Sequence, residues 1–279
     1  MLSALAALLL GAWTGAERWA PPGISSPLFE SHAAFDPLTG DLYLVRSSKA
    51  FRGWRILRSR CGPGGWSEPE PAAFAGDGAE ADPWFTPNGR GLYFISTRSE
   101  AGVKQGELDI WRVRRGQDGR WGQPERLPEP VNSPGQEWFP RLSSDGWLYF
   151  GSDRPGGQGG TDIWRARARA AGWRVENLGP RVNGPGDDYE PLPLPDGERL
   201  IVMADGDLYE TRKTGRGWAP RTRLGPDVNS AAMEVGPALS PSGRTLLFAR
   251  DTGPASSGEF FLARLGRETW PPACPAKAR

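Results

Sequence analysis

Short apolar runs separated by turn-forming residues recur along the whole chain. The run Leu-Tyr-Phe occurs at residues 92–94, after an Asn-Gly turn, and again at residues 148–150, after an Asp-Gly turn. A second segment, Asp-Ile-Trp, comes after each of them, at residues 109–111 and 162–164. Runs of this length between Gly-containing turns are typical of β-strands joined by hairpins. The pattern therefore predicts a chain of short antiparallel strands.

These strands belong to a unit that occurs five times. Each copy begins with an acidic residue, which we call the leading acid, and carries a Trp near its end. The leading acids are Glu30, Glu80, Glu137, Asp188 and Glu234, at intervals of 50, 57, 51 and 46 residues. The repeated Trp residues are Trp66, Trp121, Trp173, Trp218 and Trp270. A period near 50 residues with four short strands per copy is typical of a β-propeller.

The repeat predicts an all-β fold, a five-bladed β-propeller of four-stranded antiparallel blades, with six blades as the alternative. Strand a follows the leading acid, strand b is the Leu-Tyr-Phe run, strand c is Asp-Ile-Trp, and strand d begins at the repeated Trp. One such blade cannot bury both of its faces, so neighbouring blades must stack. Composition agrees, because 38 Gly and 28 Pro leave little room for long helices, and 13 Trp argue against disorder.

Charge and residue usage exclude several functional classes. The chain has 34 basic and 33 acidic residues, a net charge of +1, which gives no electrostatic basis for binding nucleic acid or an anionic membrane. The single histidine, His32, excludes a zinc site built on a pair of histidines, and the two cysteines form neither a redox nor a zinc motif. No Gly-x-Ser-x-Gly sequence supplies a nucleophile.

A glycine-rich segment at residues 156–160 precedes Asp162 and resembles a ligand-binding loop at first sight. A calcium-binding nonapeptide would need its acid at position 161, which is Thr161. A phosphate-binding loop would need a helix behind it and usually a Lys. We therefore predict an ordinary hairpin loop between strands b and c of the third blade.

The repeat also carries a resemblance to a known family. The motifs that carry the resemblance are an acid followed three residues later by Pro, a Ser-Pro-Asp-Gly-like turn, Leu-Tyr-Phe, and Gly-Gly-x-Gly-Gly-x-Asp-Ile-Trp. Over roughly residues 17–272, the repeat resembles the TolB-type, WD-like propeller repeats of bacterial envelope proteins. The resemblance implies a platform for protein interaction. It implies another envelope protein or a glycan as the partner.

The first sixteen residues are apolar and uncharged and end in Gly15 and Ala16. They fit the apolar region of a secretory signal, with a buried N-terminal strand as the alternative interpretation. We predict a signal peptide over residues 1–16 and a single propeller domain over residues 17–279, in the periplasm or secreted. We expect no membrane span in the mature chain, because the apolar run is shorter than the ~20 residues that a spanning helix needs.

Propeller geometry brings one set of side chains to one mouth of the central channel. The leading acids lie at the start of each strand a, and the residues two positions further along are expected to point to the same side. Those residues are His32, Asp82, Phe139, Glu190 and Gly236. The predicted ligand-binding set at the channel mouth is therefore Glu30, His32, Glu80, Asp82, Glu137, Asp188, Glu190 and Glu234.

Three interpretations of this acidic ring stay open. A repeated acid can simply accept backbone N–H bonds, in which case it needs no ligand. Clustered carboxylates can also hold a divalent cation or a cationic group of a partner. Finally, two carboxylates are what glycoside hydrolysis requires, and five-bladed hydrolases place acids at the channel mouth. We predict an exported, non-catalytic platform that binds a protein or another ligand, without a cofactor, with a glycoside hydrolase or a structural or sensor subunit as alternatives.

Two segments compete for the outer position of the fifth blade. Residues 18–24, at Trp19, and residues 270–274, at Trp270, both contain the Trp-x-Pro sequence that opens a strand d. An N-terminal strand would join the two ends of the chain by hydrogen bonds, so we predict residues 18–24 in this position. The C-terminal tail would then lie on the same face as Cys61, which makes a Cys61–Cys274 disulfide feasible in an oxidising compartment.

Overall fold

The computed structural model describes residues 13–100, 106–251, 253 and 258–274. All the regular elements in these ranges are β-strands. Among the described residues, no helix has the length and apolar character needed to cross a membrane.

The strands form five sheets of four or five strands, which we number as blades one to five, and one separate two-stranded hairpin beside blade one. The first strand, β1 (Glu17–Arg18), belongs to blade five. Blade one contains β2 (Phe29–Phe35), β3 (Leu42–Ser47), β4 (Arg55–Ser59), the side hairpin β5 (Cys61–Gly62) with β6 (Gly65–Trp66), and β7 (Glu70–Pro71). Blade two contains β8 (Glu80–Phe85), β9 (Gly91–Ser96), β10 (Asp109–Arg114) and β11 (Glu125–Arg126). Blade three contains β12 (Glu137–Leu142), β13 (Leu148–Ser152), β14 (Asp162–Arg169) and β15 (Gly172–Asn177).

The remaining strands complete the ring. Blade four contains β16 (Asp188–Pro193), β17 (Arg199–Ala204), β18 (Asp207–Thr214), β19 (Gly217–Trp218) and β20 (Thr222–Arg223). Blade five contains β21 (Met233–Leu239), β22 (Thr245–Asp251) and β23 (Glu259–Arg264), followed by β1 at its outer edge. The inner strands β2, β8, β12, β16 and β21 contact one another in chain order, and β21 contacts β2. The fold is therefore a five-bladed β-propeller, as the repeat predicts.

The outer strands begin later than the sequence predicts in three blades. Trp66, Trp121 and Trp218 pair only briefly, with residues at or just after the end of strand c, and the outer strands β7, β11 and β20 start a few residues further on. In each case a Pro lies between the Trp and the outer strand. Proline has no N–H to donate to a β-ladder, so it interrupts the pairing. Blade three has no such Pro, and β15 runs without a break through Trp173.

The N-terminal segment closes the ring, which confirms the predicted arrangement. Strand β1 pairs antiparallel with β23, and the amide of Trp19 donates to the carbonyl oxygen of Phe260 at 2.7 Å. The pairing lies earlier than residues 18–24, because Thr14 N already donates to Arg264 O at 2.8 Å. Of the predicted signal segment, residues 1–12 lie outside the described residues, and residues 13–16 lie along this edge of blade five.

The C-terminal tail is attached to blade one by a disulfide. Cys61 and Cys274 are bonded, with their Cα atoms 5.1 Å apart. This pairing agrees with the expectation that follows from an N-terminal closure. Both ends of the described part of the chain are therefore fixed, one by a β-ladder and the other by a covalent bond.

Repeated Asn residues fix the crossings from one blade to the next. The carboxamide of Asn132 accepts a hydrogen bond from Ile110 N at 2.8 Å and donates to the carbonyl oxygens of Ile110 and Leu127. Asn183 and Asn229 make the corresponding pair of bonds to the second residue of strand c in the next two blades. These buried side chains hold the start of strand c and are structural.

The glycine-rich segment is the hairpin loop that the sequence predicts. It joins β13 to β14, and the carboxylate of Asp162 accepts hydrogen bonds from Gln158 N at 2.6 Å and Gly159 N at 3.1 Å. A Cβ at Gly159 would lie 2.2 Å from the carbonyl oxygen of Gly186, in the crossing that leads to blade four. Glycine is therefore needed here because two stretches of backbone approach each other closely.

Candidate functional site at the channel mouth

The inner strand of every blade contains the same β-bulge, two residues after the leading acid. In blade one the register passes from Ser31–Val45 to Ala34–Tyr43, so two residues of β2 face one residue of β3. The other four inner strands show the same shift. The bulge re-aims the side chain that follows the leading acid by two positions.

The bulge residues have left-handed backbone conformations. Their φ angles are 50° at His32, 57° at Asp82, 53° at Phe139, 55° at Glu190 and 64° at Gly236. A non-glycine residue in this region costs about 1–3 kcal/mol, and such residues concentrate at functional sites. Four of the five positions carry this strain together with a large side chain, which identifies this layer of the channel as the candidate site.

The five leading acids lie in a different environment. Each is at most 1% exposed and forms an ion pair with an arginine. The pairs are Glu30–Arg46, Glu80–Arg98, Glu137–Arg154, Asp188–Arg221 and Glu234–Arg250. In four of the blades the arginine stands at or just after the end of strand b. In blade four that position is not arginine, and Arg221 reaches in from beyond β19 instead.

The leading acids also fasten the loop that precedes them. Glu137 accepts hydrogen bonds from the amide and the hydroxyl of Ser133, four residues earlier, at 3.1 and 2.6 Å. Glu30 is bonded in the same way by Ser26, and Asp188 accepts a bond from Gly184 N at 2.6 Å. This geometry matches the structural interpretation of a repeated acid, because the carboxylate oxygens are used within the crossing loop.

Burial makes these ion pairs electrostatically costly. Burial raises the pKa of Glu80 above its usual value even though Arg98 opposes the shift, and burial lowers the pKa of Arg98. The two shifts agree in sense, since the loss of hydration outweighs the mutual attraction on both sides. The pairs therefore specify the position of the crossing loops more than they add to net stability.

Three of the predicted residues converge in the channel. His32 Nε2 lies 3.2 Å from Glu190 Oε1 and 3.5 Å from Asp82 Oδ1, and its Nδ1 lies 2.7 Å from the hydroxyl of Ser31. All three channel side chains are at most 3% exposed. The imidazole thus lies between two carboxylates that come from blades two and four.

Each carboxylate is also held by the bulge residue of the next blade. Asp82 Oδ2 accepts a hydrogen bond from Phe139 N at 2.9 Å, and Glu190 Oε2 accepts one from Gly236 N at 2.6 Å. Burial raises the pKa of Asp82, an effect that the nearby His32 partly offsets. The repeated bulge thus positions a side chain in one blade and its backbone donor in the next.

A cavity of about 230 Å³ opens above this cluster. His32, Asp82 and Glu190 line it, together with the residues Val45, Ala81, Ile95, Met203, Met233 and Val235. Its wall is largely aromatic, in the order Trp54, Phe51, His32, Phe139, Tyr189 and Trp138, with neighbouring ring centroids 5.4 to 6.5 Å apart. We call this space the channel-mouth cavity. It combines an apolar wall with an ionisable base, which is the usual composition of a small-molecule site.

Arg141 lies two residues beyond Phe139 on the same inner strand. It is buried, and its guanidinium carbon is 4.9 Å from the centroid of the Trp84 ring. Its Nη1 donates to the carbonyl oxygens of Pro140 at 3.3 Å and Asp82 at 3.5 Å. Trp84 and Trp270 line a second cavity of about 390 Å³, on the side of the C-terminal tail.

The structure therefore divides the predicted set of eight residues. His32, Asp82 and Glu190 meet at the cavity, whereas the five leading acids are paired with arginines. The expectation that residues two apart point to the same side assumed a regular strand, and the bulge between them removes that regularity. Arginine recurs after strand b, at Arg46, Arg98, Arg154 and Arg250, and this signal could have revealed the pairs from sequence.

The aromatic wall was not identified from the sequence. Phe51 and Trp54 come from the loop between β3 and β4, whereas Trp138 and Tyr189 follow leading acids. Trp138 and Tyr189 share one position of the repeat, but Phe51 and Trp54 do not belong to it, so no single pattern marks the whole wall. Among the described residues, no group of three metal-ligating side chains is arranged to hold a metal ion.

Comparisons with known proteins give matches only at the level of structure. No protein-family model and no curated protein sequence matches the chain. A putative TolB from Agrobacterium tumefaciens is 19% identical, with 86% of this chain and 84% of that chain covered and a TM-score of 0.52. This similarity supports the propeller fold, and membership of the TolB-type repeat family stays a prediction.

Two glycoside hydrolases share the same architecture. A family 117 glycoside hydrolase from Zobellia galactanivorans is 13% identical over 97% of this chain and 96% of that chain, with a TM-score of 0.55. An α-L-arabinofuranosidase from Podospora anserina, solved with cellotriose, is 12% identical over 91% and 96%, with a TM-score of 0.54. At these identities the similarity shows the fold alone, and one fold supports many functions.

Proposed function

We propose that the chain is an exported, non-catalytic β-propeller that binds a ligand or a partner's side chain in the bacterial cell envelope. The binding site is the channel-mouth cavity. The observation that carries the proposal is the layer of left-handed bulge residues, which places His32, Asp82 and Glu190 together beneath an aromatic wall. Backbone strain of this kind persists where function selects it.

Binding without catalysis follows from the way in which the two carboxylates are held. A glycoside hydrolase needs its two carboxyl groups on either side of the scissile bond. Here His32 Nε2 lies within 3.5 Å of an oxygen of both carboxylates, so the imidazole fills the space between them. The other oxygen of each carboxylate accepts a backbone N–H from the next blade. Such an arrangement holds the two carboxylates in place for binding a ligand. It does not set them apart as the acid and the base that hydrolysis needs.

The enzyme alternative is favoured by one feature of Asp82. Burial raises its pKa, and a general acid needs a raised pKa to be protonated near neutral pH. Glu190 would be the second carboxylate of a glycoside hydrolase.

An assay with 4-nitrophenyl α-L-arabinofuranoside separates these two functions. We expect the wild-type protein to release 4-nitrophenol no faster than the Glu190→Gln variant, because no acid and base pair flanks the substrate. Calorimetric titration with methyl α-L-arabinofuranoside, the dipeptide Lys-Ala and calcium chloride tests binding on the same protein. Release of 4-nitrophenol that Glu190→Gln and Asp82→Asn both abolish would establish the hydrolase instead.

Export is supported by the disulfide between Cys61 and Cys274, since disulfides persist in oxidising compartments. Cleavage after residue 16 would leave β1 in place, because Glu17 and Arg18 form its pairs with β23. N-terminal sequencing of the protein from its native host tests this point. We expect Glu17 as the first residue, and an intact Met1 in a cytosolic fraction would refute export.

A further inference from the structure

Two buried polar atoms of the channel-mouth cavity make no hydrogen bond within the described part of the chain. They are Asp82 Oδ1, an acceptor that lies 3.5 Å from His32 Nε2 without a hydrogen bond to it, and Trp54 Nε1, a donor. Asp82 is 1% exposed, so bulk solvent has little access to its carboxylate. Buried polar atoms normally have partners, and an unpaired one costs about 1–3 kcal/mol. A ligand that enters the cavity can supply the missing partners.

The base of the cavity carries an excess of negative charge. Asp82 and Glu190 contribute two carboxylates, and within the described ranges His32 is their shared ion-pair partner. Arg141, the other charged residue of this part of the channel, donates to main-chain carbonyls, and its charge acts on both carboxylates without a hydrogen bond to either. With both carboxylates ionised, Arg141 compensates one negative charge, and the second is left to His32 or to a bound cation. A positively charged ligand group would compensate that charge.

The wall of the cavity suits the apolar part of such a ligand. Aromatic rings attract cations through their faces and also bury hydrocarbon surface. Met203 and Met233 add flexible apolar contacts, and Met233 is 37% exposed at the rim, where a ligand would enter. A cavity of 230 Å³ holds about the volume of eight water molecules, which limits the ligand to a small molecule or one side chain.

We propose that the channel-mouth cavity binds a small protonated amine, whose N–H donates to Asp82 Oδ1 and whose hydrocarbon part packs against the aromatic wall. This inference rests on the proposed binding function and names its ligand class. Asp82 Oδ1 requires a hydrogen-bond donor, so a primary ammonium fits better than a quaternary one, which has none. A hydroxyl or carbonyl oxygen on the same ligand would accept from Trp54 Nε1.

The test compares three probes of similar shape by isothermal titration calorimetry at pH 7. Cyclohexylamine carries both a positive charge and N–H donors, its N,N,N-trimethyl derivative carries the charge without a donor, and cyclohexanol carries an O–H donor without the charge. We expect cyclohexylamine to bind about tenfold to a hundredfold more tightly than cyclohexanol, the difference that a charge-assisted hydrogen bond provides. The trimethyl derivative should bind between the two. Equal affinity of all three probes, or no binding of cyclohexylamine, would overturn the inference.

The Asp82→Asn variant tests the assigned acceptor. Asparagine tolerates the left-handed conformation, so the bulge should be kept. The variant should lose most of the advantage of cyclohexylamine and bind cyclohexanol as the wild type does. Asp77→Asn is the matched control, because Asp77 is outside the cavity and bonds to Ser99. If Asp82→Asn does not fold, the three-probe comparison on the wild type still decides the question.

The two proposals can fail separately. Hydrolysis of the aryl arabinoside would refute the non-catalytic function and leave amine binding to be judged by the probe series. Binding of methyl α-L-arabinofuranoside without binding of cyclohexylamine would overturn the amine ligand and leave the binding function standing.

Discussion

Gly236 occupies the bulge position of blade five, and its replacement by alanine should disturb the candidate site directly. A Cβ at this position would lie 2.6 Å from His32 N, 2.9 Å from His32 Cα and 3.1 Å from His32 Cγ. The first two of these atoms are backbone, so no side-chain rotation can relieve the clash. Gly236 N also donates to Glu190 Oε2, which links the same residue to both ends of the His32–Glu190 contact.

The expected loss of stability can be assembled from three effects. An alanine at φ 64° adds about 1–2 kcal/mol of left-handed strain. The displacement of His32 adds about 1–3 kcal/mol, the usual cost of overpacking. The stiffer unfolded chain offsets about 0.4–1 kcal/mol of this loss. Gly236→Ala should therefore lower the free energy of unfolding by about 1–5 kcal/mol, more than the backbone strain alone would lower it.

Gly146→Ala is the matched control, because Gly146 has φ 82° and a Cβ added there would meet no atom within 4 Å. This variant carries the backbone strain alone, and we expect it to lower the free energy of unfolding by about 1 kcal/mol. Urea unfolding followed by tryptophan fluorescence measures both variants. If Gly236→Ala loses no more stability than Gly146→Ala, the close approach to His32 is not a constraint and the reasoning fails.

Three further predictions concern the ion pairs, the disulfide and the pH profile. Glu80→Gln should cost about 3–5 kcal/mol, because it leaves a buried arginine unpaired, whereas Glu70→Gln at an exposed pair should cost less than about 1 kcal/mol; chemical unfolding compares the two. Replacing Cys61 and Cys274 by alanine should lower stability by about 2–5 kcal/mol, seen as a lower midpoint in thermal unfolding that reductant no longer changes. Because burial raises the pKa of Asp82 above 3.8, the native state binds the extra proton, so wild-type stability should fall as pH rises from below 3.8 through the raised pKa. Asp82→Asn should flatten that part of the profile in urea unfolding at a series of pH values, and an unchanged slope would contradict the assignment.

The sequence was sufficient for the ring and for its closure. The regular return of the leading acid and of the Trp predicts five blades, because a repeated unit of four strands can bury its faces only against its neighbours. The N-terminal closure followed from the surplus of strands over positions. The outer strands were placed too early because a proline after the repeated Trp interrupts the β-ladder. The point at which pairing resumes depends on the register with strand c, which the sequence does not show.

The site was harder to predict because its residues share a backbone conformation and no residue type. His32, Asp82, Phe139 and Glu190 all have positive φ, and nothing in these amino acids favours that conformation except weakly in Asp and His. Gly236 is the one residue of this layer whose type readily adopts a positive φ, so it alone signalled the left-handed conformation. The aromatic wall depends on distant segments that meet only when the ring closes, so periodicity along the chain does not reveal it.

The contrast between the two layers of the inner strands bears on function more directly than either layer alone. At the first position all five blades use the same solution, an acid paired with an arginine, and a uniform solution is what support of a repeated backbone requires. Two residues further on, the backbone is again the same in every blade, yet the side chains are imidazole, carboxylate, phenyl, carboxylate and hydrogen. Support alone would not need five different side chains at one repeated and strained position. Chemical variety on a uniform backbone is what an asymmetric ligand demands, and this contrast supports the proposal that the second layer binds the ligand.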